Sequence, residues 1–130
     1  MARRLLLLVV LAFGAVALGA CGGGGKSSTP PCPPKADTRA AVNGAVTVCG
    51  FDIRFDVKTI TTTAGTLTVT FINKGDIQHT FTVEKTDLDL VVGGGSSKTG
   101  SVALQKGTYI FKCTVSGHEA AGMKGTIEVA

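Results

Sequence analysis

Three side chains with metal-binding atoms stand five residues apart near the C-terminus. They are the thiol of Cys113, the imidazole of His118 and the thioether of Met123, and a second imidazole, His79, lies 34 residues before Cys113. Two imidazoles, one thiolate and a weak axial thioether are the donor set that suits copper held for electron transfer. A loop this short can bring three side chains onto one metal ion, while the fourth must come from another strand. The residues therefore predict one mononuclear copper site.

Strands must position these ligands, and from residue 42 onward the sequence has the period-two alternation of half-buried strands. The alternating segments are 51–57, 66–71, 77–84, 109–115 and 125–129. Short strands separated by turns, rich in threonine and β-branched residues, predict an all-β sandwich or barrel. His79 shares a face with Phe81, and Cys113 shares one with Phe111, so both ligands should point inward.

Four segments give weaker signals. Residues 36–41 and 119–123 could each form a helical turn, and residues 87–92 are either a loop or an irregular edge strand. The Gly-Gly-Gly-Ser-Ser run over 93–97 predicts a flexible connection.

The N-terminus predicts export from the cytoplasm. Two arginines precede an apolar run over residues 5–18, which is too short for a comfortable membrane span and is typical of a signal peptide. The run ends in Leu-Gly-Ala-Cys at residues 18–21, which resembles the lipobox of bacterial lipoproteins. The resemblance implies cleavage before Cys21 and acylation of that cysteine. The alternative is an ordinary signal peptide in which Cys21 carries no lipid.

Cys32 and Cys49 remain once Cys21 is assigned to the lipid and Cys113 to the metal. Disulfides persist outside the cytoplasm, so a bridge between Cys32 and Cys49 is the favoured assignment. Two free thiols, or two extra soft ligands for copper, are the alternatives.

The chain divides into three predicted segments. These are a lipoprotein signal peptide over 1–20, a lipid-anchored linker rich in Gly, Ser and Pro over 21–41, and a copper-binding domain over 42–130. Without the two arginines of the signal peptide, 11 basic residues face 9 acidic ones, a net charge of +2. No basic cluster supports nucleic-acid binding. We expect a monomer tethered by its lipid to the cell membrane, on the periplasmic side or the outer surface.

The part of the chain from about residue 51 to 129 resembles the cupredoxin family, the plastocyanin- and azurin-like small blue copper proteins. The matching motifs are Cys-x4-His-x4-Met at 113–123, Asn-x5-His-Thr-Phe at 73–81 and Gly-Thr-Tyr-x-Phe-x-Cys at 107–113. The resemblance implies a Greek-key β-sandwich that binds one type 1 copper ion. It assigns the ligands to His79, Cys113, His118 and Met123.

The resemblance also implies roles for residues around the ligands. His118 would be the partly exposed ligand through which electrons pass, with redox proteins docking transiently near it. Thr80 and Thr114 would tie the two ligand segments by hydrogen bonds, with Asn73 as a further support. The small residues beside His118, at 117 and 120–122, would form a weakly apolar docking patch, or they are small only because the loop is tight.

A carrier of single electrons is the favoured function. Copper storage, delivery or resistance is the alternative, although delivery proteins favour exposed Met and His clusters and this chain has only Met123 beyond its initiator. We expect no enzyme activity. Multicopper chemistry needs further histidines, and a binuclear copper centre needs a second cysteine in the Cys113 loop.

Overall fold

The computed structural model describes residues 30–130, and every regular element in that part of the chain is a β-strand. The strands are β1 (Ala36–Ala40), β2 (Ala45–Phe51), β3 (Arg54–Phe55), β4 (Val57–Thr62), β5 (Gly65–Asn73), β6 (His79–Val83), β7 (Asp89–Val92), β8 (Ser97–Leu104), β9 (Gly107–Lys112) and β10 (Lys124–Val129). Within residues 30–130, no helix has the length and apolar character needed to cross a membrane. The predicted signal peptide (1–20), the lipid site Cys21 and the linker residues 22–29 lie outside the described residues.

The ten strands form two sheets. One sheet has six strands in the order β1-β4-β10-β9-β6-β7, and the other has four in the order β3-β2-β5-β8. Both sheets are mixed, because β1, β4 and β10 run parallel to one another and β2 runs parallel to β5, while the other neighbours are antiparallel. The predicted all-β, cupredoxin-like Greek-key sandwich is confirmed.

Alternation along β5 shows why the two sheets pack together. Leu67, Val69 and Phe71 are at most 1% exposed, and their side chains fill the space between the sheets. The intervening threonines face outward, where Thr68 Oγ1 lies 2.9 Å from Ser101 Oγ on β8. One face of the strand is therefore apolar and the other carries cross-strand hydroxyl pairs.

Four phenylalanines form the centre of the core, with ring centroids 4.9 to 6.0 Å apart. They are Phe55, Phe71, Phe81 and Phe111. Two of them stand two residues along the chain from a predicted ligand, one after His79 and one before Cys113. Aromatic packing thus fixes the strands that carry the ligands.

The predicted continuous strand over 51–57 is wrong. β2 ends at Phe51 and turns through Asp52 and Ile53 into the short β3, whose Arg54 pairs back with Phe51. Ile53 is 45% exposed because it lies in this turn. The alternation over 77–84 would put Ile77 on the same inner face as His79, but Ile77 lies just before β6 begins and is 51% exposed. Period-two alternation cannot reveal a hairpin that keeps the same alternation on both sides of its turn.

The predicted linker boundary and the predicted helical turn at 36–41 are also corrected. Residues 36–40 form β1, which pairs with β4 through Ala36 and Val57, so the sheet begins before residue 42. The structure contains the favoured disulfide between Cys32 and Cys49. The sequence of residues 36–40 does not reveal the strand β1, because these residues have no alternating apolar pattern. The strand forms because β4 offers backbone groups for pairing.

A buried ion pair attaches this N-terminal segment to the sandwich. Arg39 Nη1 lies 3.0 Å from Asp56 Oδ2 and donates a hydrogen bond to Thr47 O, while Nη2 donates to Pro34 O at 2.7 Å. The contact between the Arg39 guanidinium and Asp56 Oδ2 is thus electrostatic, without hydrogen-bond geometry. Asp56 Oδ1 accepts a hydrogen bond from Cys49 N at 2.8 Å. The segment over residues 32–40, held by the disulfide, this ion pair and β1, is called the N-terminal clamp below.

The glycine-rich run at 93–97 is a hydrogen-bonded turn rather than a free connection. Gly95 N donates to Gly75 O at 3.2 Å, and Asn73 N donates to Ser96 O at 2.9 Å. A side chain at position 94 would collide with the Asp76 carbonyl, so this close approach needs glycine. Ser97, the last residue of this run, begins β8. The residues 87–92, predicted to be a loop or an irregular edge strand, contain the edge strand β7.

Candidate metal centre

Three predicted ligands converge at one end of the sandwich, which is called the copper end below. His79 Nδ1 lies 3.2 Å from His118 Nδ1, and Cys113 Sγ lies 3.5 Å from His118 Nδ1 and 3.9 Å from His79 Nδ1. These donor atoms form the one group of three or more His, Cys, Asp or Glu residues within residues 30–130 that could hold a metal ion. The spacing in sequence and the alternation predicted this group.

The ligands His79 and Cys113 lie at the ends of two strands. His79 is the first residue of β6, and Cys113 directly follows the last residue of β9. These two strands are antiparallel neighbours in the six-stranded sheet. Because β6 begins where β9 ends, the pairing brings an imidazole and a thiol that are 34 residues apart to the same edge.

The remaining two ligands lie on the loop over residues 113–123, called the ligand loop below. Its backbone bonds to itself: Cys113 N donates to Met123 O at 3.0 Å, Met123 N donates to His118 O at 3.0 Å, and His118 N donates to Val115 O at 3.0 Å. Met123 is fully buried. The three ligands of the loop are thus fixed relative to one another by main-chain hydrogen bonds.

Gly50 makes room for the methionine. A Cβ at this position would lie 2.8 Å from the Phe71 ring and 3.3 Å from Met123 Cε. The glycine therefore allows Phe71 and Met123 to pack against the backbone of β2. The sequence gives no signal for this role, since the contact joins residues more than 70 positions apart.

Thr80 and Thr114 join the two ligand segments, as the resemblance implied. Thr80 N donates to Cys113 Sγ at 3.4 Å, and the Thr80 hydroxyl accepts a hydrogen bond from Thr114 N at 2.8 Å. The two hydroxyl oxygens lie 3.0 Å apart. These bonds hold the segment that carries His79 against the segment that carries Cys113.

Asn73 closes the turn that precedes His79. Its Nδ2 donates to Ile77 O at 2.7 Å and to Val92 O at 3.0 Å, and its Oδ1 accepts from Gly75 N at 2.9 Å. The side chain is fully buried, so these bonds satisfy groups that water does not reach. Asn73 therefore fixes the position of His79 without touching the donor atoms.

Electrostatics favours a neutral imidazole at His79. Burial lowers the pKa of His79, the nearby His118 lowers it further, and Asp52 partly opposes them. The Nε2 atom of His79 has no hydrogen-bond partner among residues 30–130. Since Nδ1 faces the other donors, a bound metal ion would leave the proton on Nε2.

Two ion pairs that the sequence did not predict brace the ligand loop. Lys112 Nζ lies 2.6 Å from Glu84 Oε1 and 3.1 Å from Glu119 Oε2. One ammonium at the end of β9 therefore links the residue after β6 to the residue after His118. The hydrogen bond from Lys112 lowers the pKa of Glu84, and the two carboxylates raise the pKa of Lys112. The ion pair between Lys112 and Glu119 could have been predicted from the sequence, because these residues directly neighbour the ligands Cys113 and His118.

The donor set fits a type 1 copper ion. Bonds of about 2.0–2.3 Å to nitrogen and sulfur, arranged as a triangle around a metal, place the donors roughly 3.5 Å apart. The three distances of 3.2, 3.5 and 3.9 Å have this size. The set of two imidazoles, one thiolate and a methionine on the same loop is the one that blue copper sites use.

Comparison with known proteins agrees with this site. A family model described as a cupredoxin-like domain matches residues 9–129. No curated protein matches the chain. Among solved structures, sodium-dithionite-reduced auracyanin from the photosynthetic bacterium Roseiflexus castenholzii has 26% sequence identity and a TM-score of 0.64, and the match covers 69% of this chain and 99% of that one.

Two further auracyanins show the same fold. Auracyanin A, titled a "blue" copper protein from the green thermophilic photosynthetic bacterium Chloroflexus aurantiacus, has 21% identity and a TM-score of 0.57, with 66% of this chain and 98% of that one covered. Auracyanin B has 22% identity and a TM-score of 0.55, with coverages of 66% and 88%. Because the family model spans most of the sequence, this chain belongs to the cupredoxin family.

Proposed function

We propose that this protein is a membrane-tethered carrier of single electrons, built on one type 1 copper ion held by His79, Cys113, His118 and Met123. The observation that carries the proposal is the convergence of two Nδ1 atoms and one Sγ atom within 4.8 Å of one another at a buried site. A copper ion bound there would take up and release one electron by alternating between Cu(II) and Cu(I).

The residues of this chain keep the ligands in place during that exchange. Main-chain hydrogen bonds fix Cys113, His118 and Met123 relative to one another, and Asn73 and Thr80 fix His79 relative to Cys113. Ligands that move little on a change of charge give a small reorganisation energy, which favours fast electron transfer. The buried core below the site also excludes water from the ligand atoms.

His118 is the favoured exit for the electron. It is 8% exposed, whereas His79, Cys113 and Met123 are each 0% exposed. The small residues near it, at positions 117 and 120–122, are exposed. They let the surface of another protein approach the ring closely, so redox partners would dock transiently on this part of the ligand loop.

The tether is the second part of the proposal. The lipobox-like sequence ending at Cys21 favours lipidation, and the disulfide between Cys32 and Cys49 fits a compartment outside the cytoplasm. More than one acyl chain on Cys21 would give stable anchoring without a membrane span. Membrane fractionation of the wild type and of Cys21→Ala tests this part; equal membrane fractions for the two proteins would refute it.

The copper assignment has a direct spectroscopic test. The full chain is loaded with Cu(II), and its visible and electron paramagnetic resonance spectra are recorded. We expect an intense blue thiolate-to-copper band with narrow hyperfine splitting, and the complete loss of the band in Cys113→Ser. A colourless wild type would refute the type 1 site.

Burial of all four ligands argues against ready exchange of the metal. We therefore expect the loaded protein to keep its colour for hours in the presence of a copper chelator. A protein that binds copper without colour and gives it up at once to the chelator would instead support copper delivery.

A further inference from the structure

Parallel strands place the start of the folded chain at the copper end. β10 begins at Lys124, directly after Met123, and it runs parallel to β4, which in turn runs parallel to β1. Ala36, the first residue of β1, pairs with Val57, the first residue of β4. All three strands therefore start at the end of the sheet where the ligand loop lies.

The disulfide fixes the chain at the same end. Cys49 lies near the end of β2, where it pairs with Ile72, and the next residue, Gly50, pairs with Asn73. Gly50 is also the residue that packs against Met123. Through its bond to Cys49, Cys32 is held beside the structures that support the copper ligands, even if β1 were to fray.

The buried ion pair prevents the rest of the N-terminal clamp from lifting away. Arg39 holds both Asp56 and the Pro34 carbonyl, and Asp56 also accepts a hydrogen bond from Cys49 N. The clamp is therefore attached along its length, and the point at which the chain leaves the sandwich is fixed.

We propose that the tethered domain is held with its copper end toward the membrane, so that the partner that exchanges electrons with His118 is a protein embedded in that same membrane. The proposal rests on the proposed function, because it needs both the copper site and the lipid at Cys21. Ten residues, 22–31, lie between Cys21 and Cys32, and ten residues span at most about 36 Å in any conformation. β10 has six residues, and a strand rises about 3.3 Å per residue, so the opposite end of the sandwich lies about 20 Å from the copper end. Since the tether is attached at the copper end, that end lies closer to the lipid than the opposite end on average.

The charge around the point of attachment supports this orientation. Four basic residues and two acidic ones line a surface recess at the start of the N-terminal clamp: Lys35, Arg54, Lys58 and Lys124, with Asp37 and Asp56. Asp37 lies 3.3 Å from Lys58, and Asp56 is paired with Arg39, so basic side chains outnumber acidic ones at this recess. An excess of positive charge on this face attracts it to anionic lipid headgroups. Like the tether, it brings the copper end toward the membrane.

Energy transfer from single tryptophans tests the orientation, because the chain has no tryptophan of its own. Ile77→Trp places the probe at the copper end, and Val42→Trp places it at the opposite end, just beyond β1; both positions are exposed, at 51% and 69%. Each lipidated, copper-loaded full chain is bound to vesicles of phosphatidylcholine and phosphatidylglycerol that contain a dansyl-labelled phosphatidylethanolamine. The copper is kept reduced so that the blue chromophore does not quench the tryptophan.

We expect the efficiency of transfer to the labelled headgroups to be at least twofold higher from position 77 than from position 42. Equal efficiencies, or a higher one from position 42, would overturn the proposed orientation. Ile53→Trp, at 45% exposure in the turn beside Gly75, provides a second copper-end position if Ile77→Trp does not fold. A wild type without a blue band, or one that does not float with the vesicles, would instead refute the copper site or the lipid tether, and the inference with it.

Discussion

The ligand loop and the N-terminal clamp both reach the copper end, but different forces hold them there. The ligand loop is held by its own main-chain hydrogen bonds and by the ion pair of Lys112 with Glu119. The clamp is held by a covalent bond, a buried ion pair and pairing with β4. Of these two segments, the ligand loop carries three of the proposed copper ligands and the clamp carries none.

This difference separates stability from redox chemistry. The interactions of the clamp need no metal, so they should stabilise the fold equally in its metal-free and loaded forms. Changes in the clamp should therefore lower the free energy of unfolding and leave the colour unchanged. Substitutions that remove contacts between the two ligand segments should alter the spectrum or the reduction potential, and they should lower the free energy of unfolding by less.

The largest loss of stability should come from breaking the buried ion pair. Asp56→Ala leaves Arg39 without its partner at 13% side-chain exposure and removes the acceptor of Cys49 N. We expect the free energy of unfolding to fall by about 3–5 kcal/mol, measured by urea denaturation, with the blue band unchanged in the folded protein.

The matched control is Asp37→Ala, which breaks an ion pair with Lys58 whose side chains are 82% and 75% exposed. It should cost about 0–1 kcal/mol. Equal losses for the two variants would contradict the role given to the buried pair.

Removal of the disulfide should have the next largest effect. The double variant Cys32→Ser/Cys49→Ser opens a loop with a sequence separation of 17 and should lose about 3 kcal/mol of unfolding free energy. Because no ligand is changed, the absorption of the loaded protein should stay the same. A bleached double variant would show that the clamp also shapes the copper site.

Thr80→Val tests the contact between the two ligand segments. The change removes the hydroxyl that accepts from Thr114 N but keeps the Thr80 N–H bond to Cys113 Sγ. We expect a stability loss of about 1 kcal/mol together with a shift of the reduction potential, measured by redox titration of the blue band.

Thr68→Val is the control for this change, since its hydroxyl forms a similar pair with Ser101, 2.9 Å away on the four-stranded sheet. This variant should leave the potential unchanged. A shift of equal size in both variants would mean that the Thr80 contact has no special influence on the ligands.

The smallest effect should come from Glu84→Gln. Lys112 lowers the pKa of Glu84 below the ordinary value of 4.5, so the pair stabilises the fold fully above pH 4.5 and its contribution is lost as the pH falls through the lower folded pKa. The stability difference between wild type and variant, measured on metal-free protein, should therefore be small near neutrality and vanish in acid and in high salt. A difference that grows on acidification would contradict this assignment.

Much of the fold and nearly all of the ligand set could be predicted from the sequence. Alternation identified the strands that carry His79 and Cys113, because one face of each is apolar and the other polar. It failed at residues 51–57, where a tight turn lies within the pattern, and at β1, whose sequence has no clear apolar face. Gly50 and Asp56 were missed because their partners, Met123 and Arg39, lie far away in sequence or in a segment assigned to the linker.

The sequence by itself determined the chemistry of the site, since donor atoms belong to side chains and the spacing of the ligand loop is local. It also determined the class of fold. Only the tertiary structure decided that His79 Nδ1 meets the ligand loop, that Arg39 is buried against Asp56, and that the chain enters the sandwich at the copper end. These features depend on which strands pair and in which register, and pairing between distant segments leaves no periodic trace in either one.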